Sequence, residues 1–292
     1  MNLAAIDIGS NAARLLLSSA NAYTSGAIDF TKLNLVRVPL RLGFDVFSEG
    51  KINEGREQKL IETMQAFKIL MDIYDVEHYR ACATSAMRDA KNGAEIIEKI
   101  ADKTGVEIEI IDGHEEATIL IETHFADRLN ENKSYLYVDV GGGSTEITLY
   151  SKGQIVFKES FNIGTIRLLQ NQISKEAWAH MKWFIKTNTK YYSPVEIIGS
   201  GGNINKIFSL SKKKEGKALP LQLLKDYYNE LSQNSVQERI HIYGLREDRA
   251  DVIVPALQIY ISVMRWAMAE EIYVPKIGLT DGLIRMLYKT VS

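Results

Sequence analysis

Two stretches of the chain share one pattern of apolar and polar positions. Leu3 to Leu17, LAAIDIGSNAARLLL, and Tyr135 to Tyr150, YLYVDVGGGSTEITLY, each read as an apolar strand, a glycine-containing turn and a second apolar strand, which predicts a β-hairpin in both places. In each, an aspartate stands one residue before the end of the first strand: Asp7 ahead of Gly9, and Asp139 ahead of Gly141. An isolated glycine run reads equally well as an ordinary tight turn. Its repetition favours two related domains facing each other, each presenting a carboxylate and an anion-binding turn to a shared cleft.

The rest of the pattern alternates helix and strand, which indicates α/β layering. Ala27 to Val38 adds strands to the first sheet, and Arg41 to Lys51 reads as a polar loop. Leu60, Met64, Phe67, Met71 and Tyr74 recur at helical spacing and predict a helix over Glu54 to Tyr74. Tyr79 to Thr84 is a strand, Ser85 to Ala90 a turn into a helix reaching Thr104, and Val106 to Ile110 a further strand. Asp112 opens a helix to about Leu129, with Glu115 placed to complete a capping box. Asn130 to Ser134 is the expected boundary between domains 1–130 and 131–280. In the second domain Gln154 to Phe161 is a third strand, Gly164 to Arg167 starts a helical stretch, and Trp178, Met181 and Ile185 mark a helix. Val195 to Gly199 is a strand that runs through Ser200-Gly201-Gly202 into a helix to about Leu210. Leu221 to Leu231 and Val236 to Ile242 are helical, and Arg246 to Asp251 leads into Val252 to Ala269. This last stretch has Gln258, Ser262 and Arg265 on one stripe, which makes it a buried amphipathic helix and not a membrane span. Glu271 to Leu279 holds the last strands, and Asp281 begins a terminal helix.

Composition changes this picture little. The 292 residues are 46% hydrophobic and 25% charged, enough for two globular domains. A formal net charge of −2 argues against a broad nucleic-acid-binding surface, so any polyanion must be held locally. The single cysteine, Cys82, forms no internal disulfide, and the chain opens on a strand instead of a leader; both point to the cytoplasm. No histidine cluster has the spacing of a zinc site.

The candidate chemistry lies at the turns. Asp139 can reach a hydrated cation, the amides of Gly141 to Gly143 can close on an anion, and Ser144 and Thr145 add hydroxyl donors. Strand, Gly201-Gly202 and helix N-terminus form a second phosphate grip. It is not a dinucleotide fingerprint, because Ile204 occupies the third glycine position, and no Walker A sequence occurs. Lys212-Lys213-Lys214 reads as a solvated loop. Glu115 has a structural role in the cap, whereas Glu116 has no local explanation and is the candidate base.

Seven ordered segments, IDIGSN, ATSAMRDAKN, DGHEEA, VDVGGGSTE, GTIRL, GSGGNI and DRAD, resemble the exopolyphosphatase and guanosine pentaphosphate phosphohydrolase family over essentially the whole chain. The resemblance implies an actin-like ATPase (sugar kinase and heat-shock chaperone) fold: two ribonuclease-H-like domains, with the C-terminal helix, 281–292, packing back on the first. It implies Mg²⁺-dependent removal of a terminal phosphoryl group from polyphosphate or guanosine pentaphosphate by water. Glu116 then accepts the proton of the nucleophile, Asp7 and Asp139 hold Mg²⁺, Arg88 neutralises the transferred group and Glu146 orients water. Ser10, Asn11, Gly142, Gly143, Ser144, Gly201 and Gly202 cradle the oxygens. The first turn departs from the family pattern in Asn11-Ala12-Ala13-Arg14, where Arg14 supplies a charge instead of a hydroxyl. Longer members carry a further helical domain, on which processive work and guanosine recognition depend. Two other functions fit the same fold: an ATP-dependent small-molecule kinase, and a non-catalytic polyphosphate or alarmone sensor. The apolar C-terminal helices, with no third domain to cover them, make a homodimer the expected assembly.

Overall fold

The computed structural model describes residues 1–22, 28–121, 130 and 132–292. The chain divides into two compact units, Met1–Thr123 with Gly278–Ser292, and His124–Ile277.

In the first unit β1 (Asn2–Ile8), β2 (Ala13–Ala22) and β3 (Ile28–Val38) form an antiparallel meander. After α1 (Gly43–Glu49) and α2 (Glu54–Ile73), the strand β4 (His78–Ala83) pairs parallel to the far side of β1. α3 (Ser85–Asp89) and α4 (Gly93–Thr104) lead to the short parallel strand β5 (Glu109–Ile110), and α5 (Gly113–Ile121) follows. The sheet order is β3-β2-β1-β4-β5. β1 is buried from Leu3 onward, because helices cover the sheet.

Sequence and structure differ at several places here. The stretch read as a polar loop, Arg41 to Lys51, contains α1, and its Asp45 is buried. Asp45 accepts the Asn53 amide and pairs with Arg56, so this carboxylate ties α1 to the start of α2. Only Glu109 and Ile110 of the strand expected over Val106 to Ile110 are paired. The Glu115 half of the expected capping box is replaced. Asp112 Oδ1 does accept the Glu115 amide, at 2.8 Å, but the Glu115 carboxylate goes to Arg80 at 2.7 Å. The helix expected to about Leu129 is seen to Ile121; its later residues lie outside the described ones.

The second unit repeats the meander with β6 (Ser134–Val140), β7 (Thr145–Ser151) and β8 (Gln154–Phe161). α6 (Thr165–Leu169) and α7 (Lys175–Thr189) precede β9 (Val195–Ser200), which lies parallel to β6, and α8 (Gly202–Leu210) follows. Next come β10 (Leu219–Pro220), α9 (Leu221–Gln233), α10 (Val236–Tyr243), α11 (Glu247–Ala250), α12 (Ile253–Trp266) and β11 (Glu271–Tyr273). The order is β10-β11-β9-β6-β7-β8, the ribonuclease-H-like order of the first sheet with one strand added. That strand, β10, was not read from the sequence; two residues, one of them proline, give no alternating pattern.

α12 is the central helix of this unit. It packs on β6, α6, α7, α8 and α9, burying Ile253, Ala256, Leu257, Tyr260, Val263 and Met264. Among the described residues no helix is long and apolar enough to cross a membrane. The chain then returns to the first unit as α13 (Leu279–Val291), whose Leu279, Leu283 and Ile284 join Leu3, Ala5 and Leu16 in one core. α13 begins before the expected Asp281 because the Asp281 carboxylate accepts the Gly278 amide, 2.9 Å away, and so caps the helix from its third position.

Candidate active site

Both hairpin turns are held from behind by their carbonyls. In the second, Gly141 N–H bonds Ser144 O at 3.0 Å to close the turn. The Gly141 and Gly142 carbonyls accept the amides of Thr165 and Ile166 at the start of α6, at 3.0 and 2.9 Å, and Gly143 O accepts Arg167 Nε at 2.7 Å. In a planar trans peptide the N–H points opposite to the C=O. Three carbonyls drawn toward α6 therefore turn the amides of Gly142, Gly143 and Ser144 the other way, and among the described residues no acceptor takes those of Gly142 and Gly143. Such a run of amides is an anion cradle. The bracing needs Gly164, where a Cβ would lie 2.4 Å from Gly142 O. The first turn is tied back less fully: Gly43 N–H bonds Ser10 O at 2.8 Å and Arg41 N–H bonds Asn11 O at 2.9 Å. Ser10 Oγ is 2.9 Å from Ser85 Oγ.

The two aspartates have opposite cross-strand neighbours. Asp7 stands opposite Arg14 on β2, and Arg14 Nη1 donates to Asp7 Oδ2 at 2.8 Å. Burial pushes the Asp7 carboxyl above its usual range, while Arg14 and then Arg37 pull it back. Asp139 stands opposite Glu146 on β7. Their carboxylate oxygens come within 4.8 Å of one another, a like-charge repulsion of roughly 3 kcal/mol at an effective dielectric near 20. Ser160 Oγ donates to Glu146 Oε1 at 2.9 Å, and Ser200 Oγ to Asp139 Oδ1 at 2.5 Å. Glu146 is buried and Asp139 half-buried. Two adjacent carboxylates, each steadied by a hydroxyl, are the hard oxygen donors that Mg²⁺ takes along with its own waters.

The remaining sequence-predicted residues are placed as follows. Glu116 is buried in the first turn of α5, its amide donating to Asp112 O at 3.0 Å. Arg88, on α3, donates to Ile111 O at 2.7 Å. Gly201 and Gly202 open α8, and Gly201 has φ 112°, a left-handed value that favours glycine. Thr145, expected to offer its hydroxyl to an anion, is fully buried and gives it to Ile163 O at 2.5 Å, so its role is to hold the strand end. Lys213, in the lysine run, donates to Ala218 O at 3.0 Å.

Sequence reasoning missed Ser160, Arg167, Ser200 and Tyr260. Ser200 precedes the Gly201-Gly202 pair and was passed over as part of that turn. Tyr260 looked like core, and it is core: 1% exposed, with its hydroxyl donating to Ser200 O. Burial first, and then the Asp139 charge, push its phenol well up, so it stays a neutral donor.

Comparison with known proteins now decides the family. The family model for the Ppx/GppA phosphatase family matches residues 23–290. The chain belongs to this family. Within Ppx/GppA relatives, it is 27% identical over 82% of its length to a bifunctional 3-dehydroquinate synthase/phosphatase of Fusobacterium nucleatum, of which it spans 35%. It is 24% identical over 97% of its length to Exopolyphosphatase 1 of Mycobacterium tuberculosis, of which it spans 87%. The same identity, over 99% of its length, relates it to a guanosine-5'-triphosphate,3'-diphosphate pyrophosphatase of Photobacterium profundum, of which it spans 59%. A crystal structure described as an exopolyphosphatase from Cytophaga hutchinsonii superimposes with a TM-score of 0.86 at 23% identity, covering 100% of this chain and 99% of that one. The Ppx/GppA fold is thus shared along the chain, and with two ribonuclease-H-like sheets it is the actin-like ATPase fold.

Proposed function

We propose that the chain is a hydrolase that removes terminal phosphoryl groups from phosphoanhydrides with the help of a divalent cation. Its substrate is inorganic polyphosphate, or guanosine pentaphosphate as the second candidate, the substrate classes named for its relatives. The observation that carries the reading is the Asp139 and Glu146 pair beside a turn whose amides face outward. Breaking a phosphoanhydride bond is mainly a matter of position and charge, and both features serve it.

Asp139 and Glu146 would hold Mg²⁺, which supplies charge neutralisation at the phosphoryl oxygens when bound. Asp7, one oxygen of which Arg14 holds, would add the charge of its carboxylate to that binding. The amides of Gly142, Gly143 and Ser144, with those of Gly201 and Gly202 and the first turn at Ser10 and Asn11, bind and orient the terminal phosphate. Arg14 and Arg88 add positive charge to that binding. Glu116 takes the proton of the attacking water, a role suited to a buried carboxylate at a helix start.

The test is phosphate release from short polyphosphate, long polyphosphate, guanosine pentaphosphate and ATP, with and without Mg²⁺. Glu116→Ala is the control, and its fold is checked by circular dichroism. Cation-dependent release from one of the first three, lowered at least a hundredfold in the variant, is expected. Equal release by a folded Glu116→Ala protein removes Glu116 as the base, and turnover of ATP with transfer to an acceptor makes the chain a kinase.

A further inference from the structure

We propose that Tyr260 is a positioning residue that fixes the Asp139 carboxylate for a divalent cation, acting through Ser200. The inference rests on the cation reading of Asp139 and Glu146 given above. Tyr260 sits on α12, the central helix of its unit, two turns in from the helix start, and its hydroxyl donates to the carbonyl oxygen of Ser200. Ser200 is the last residue of β9, lies directly beside Asp139 in the parallel ladder, and donates its own Oγ hydrogen to Asp139 Oδ1 at 2.5 Å. A carboxylate only accepts, so the direction of this bond is fixed.

The junction between the two bonds is unusually tight. A Cβ on Gly201 would lie 3.1 Å from Asp139 Oδ1, 3.1 Å from Val140 O and 3.4 Å from Tyr260 Oη. Three polar groups thus meet over one bare Cα, and Gly201 has the positive φ that lets the chain turn there into α8. Left to itself, the Ser200–Gly201 peptide could rotate, because glycine resists rotation least. Tyr260 pins its carbonyl. With that peptide pinned, Ser200 Oγ is held where it can grip Asp139, and Asp139 is held in one rotamer. A carboxylate so fixed loses less freedom when a cation arrives, which is how supporting hydrogen bonds raise the affinity of metal sites.

The experiment uses the full chain with Mn²⁺ as the probe, since free Mn²⁺ is counted directly by electron paramagnetic resonance without turnover. Wild-type protein, Tyr260→Phe, Ser200→Ala and the double variant are titrated, with thermal melts to confirm folding. Each single variant is expected to bind Mn²⁺ about tenfold more weakly, the lower end of the range seen when a supporting partner of a metal ligand is removed. The double variant is expected to bind no more weakly than the weaker single one, because both act on one carboxylate. The cation midpoint for phosphate release should move by the same factor. Wild-type affinity in folded Tyr260→Phe overturns the inference, as do losses that multiply in the double variant. Should wild-type protein itself bind no Mn²⁺, the cation reading of Asp139 and Glu146 fails first and takes the inference with it.

Discussion

The corresponding row of each unit's sheet is filled differently. Across the first it reads Cys82, Asp7, Arg14 and Arg37; across the second, Ser200, Asp139, Glu146 and Ser160. Strand order, register and the position of the aspartate before the glycine turn agree, so the backbone offers the same opportunity twice. Side-chain charge then separates them. The first row brings its own cations to a buried carboxylate, whereas the second adds a further carboxylate and two hydroxyls. A row that already contains guanidinium groups gains little from a metal ion, whereas one that gathers carboxylates has the donor set a divalent cation would use, in keeping with the reading proposed above. Duplication of a fold therefore did not duplicate the chemistry.

The sharpest way to break the contrast is to write the first row onto the second. Glu146→Arg is expected to lower cation-dependent phosphate release at least a hundredfold, with Glu146→Gln falling between it and the native protein. Release measured against Mg²⁺ concentration checks this, and an unchanged rate in either folded variant would remove the carboxylate pair from the reaction.

A smaller effect comes from opening the first row. Arg14→Gln takes the ion-pair partner from buried Asp7 and should cost about 2 kcal/mol, less than a fully buried pair because Arg14 is partly exposed. Its pH dependence has a definite sign. The folded carboxyl of Asp7 already lies above its ordinary value, so its contribution to stability is full at low pH and is lost as pH rises through the folded pKa. Removing Arg14 raises that pKa further, so the penalty is greatest near neutrality and shrinks toward pH 5. Urea unfolding at pH 7.5 and pH 5 measures both values; equal losses would show that Arg14 acts by packing and not by charge.

The smallest effect concerns Cys82, which lies beside Asp7 in the first row. Burial pushes its thiol up to about 12, so native protein should take up no iodoacetamide at pH 8 and should be labelled only in denaturant. Rapid labelling of the folded chain would mean that the first row is open to solvent.

How far all this could be read in advance depended on what each feature needs. The positions of Asp7, Asp139, the glycine turns and the two hairpins were legible because each hairpin lies within about twenty residues and follows a period-two pattern. Glu146 entered only through the resemblance of VDVGGGSTE, as a residue orienting water; its place opposite Asp139 comes from the β6–β7 pairing. Ser200 and Tyr260 were not legible. Their partners are 61 and 60 residues away, and only the parallel β6–β9 pairing and the placement of α12 bring them together. Arg167 was visible inside GTIRL, but its bond to Gly143 O follows from how the start of α6 lies on the turn. α1 was misread because a seven-residue helix shows too few turns to reveal a period, and because Asp45 is buried by pairing with Arg56 instead of being exposed by its charge.

The C-terminal helix has a consequence for the order in which the molecule can be made. Leu279, Leu283 and Ile284 complete a core that Leu3, Ala5 and Leu16 begin, and Gly282 lies so close to α5 that a Cβ there would fall 2.0 Å from Ile119 O. On a ribosome those residues emerge only after every residue of the second unit. Of the two units, the one encoded first is therefore the one finished last, and during synthesis the Asp7 hairpin must wait, with one face of its sheet uncovered, until α13 has been translated.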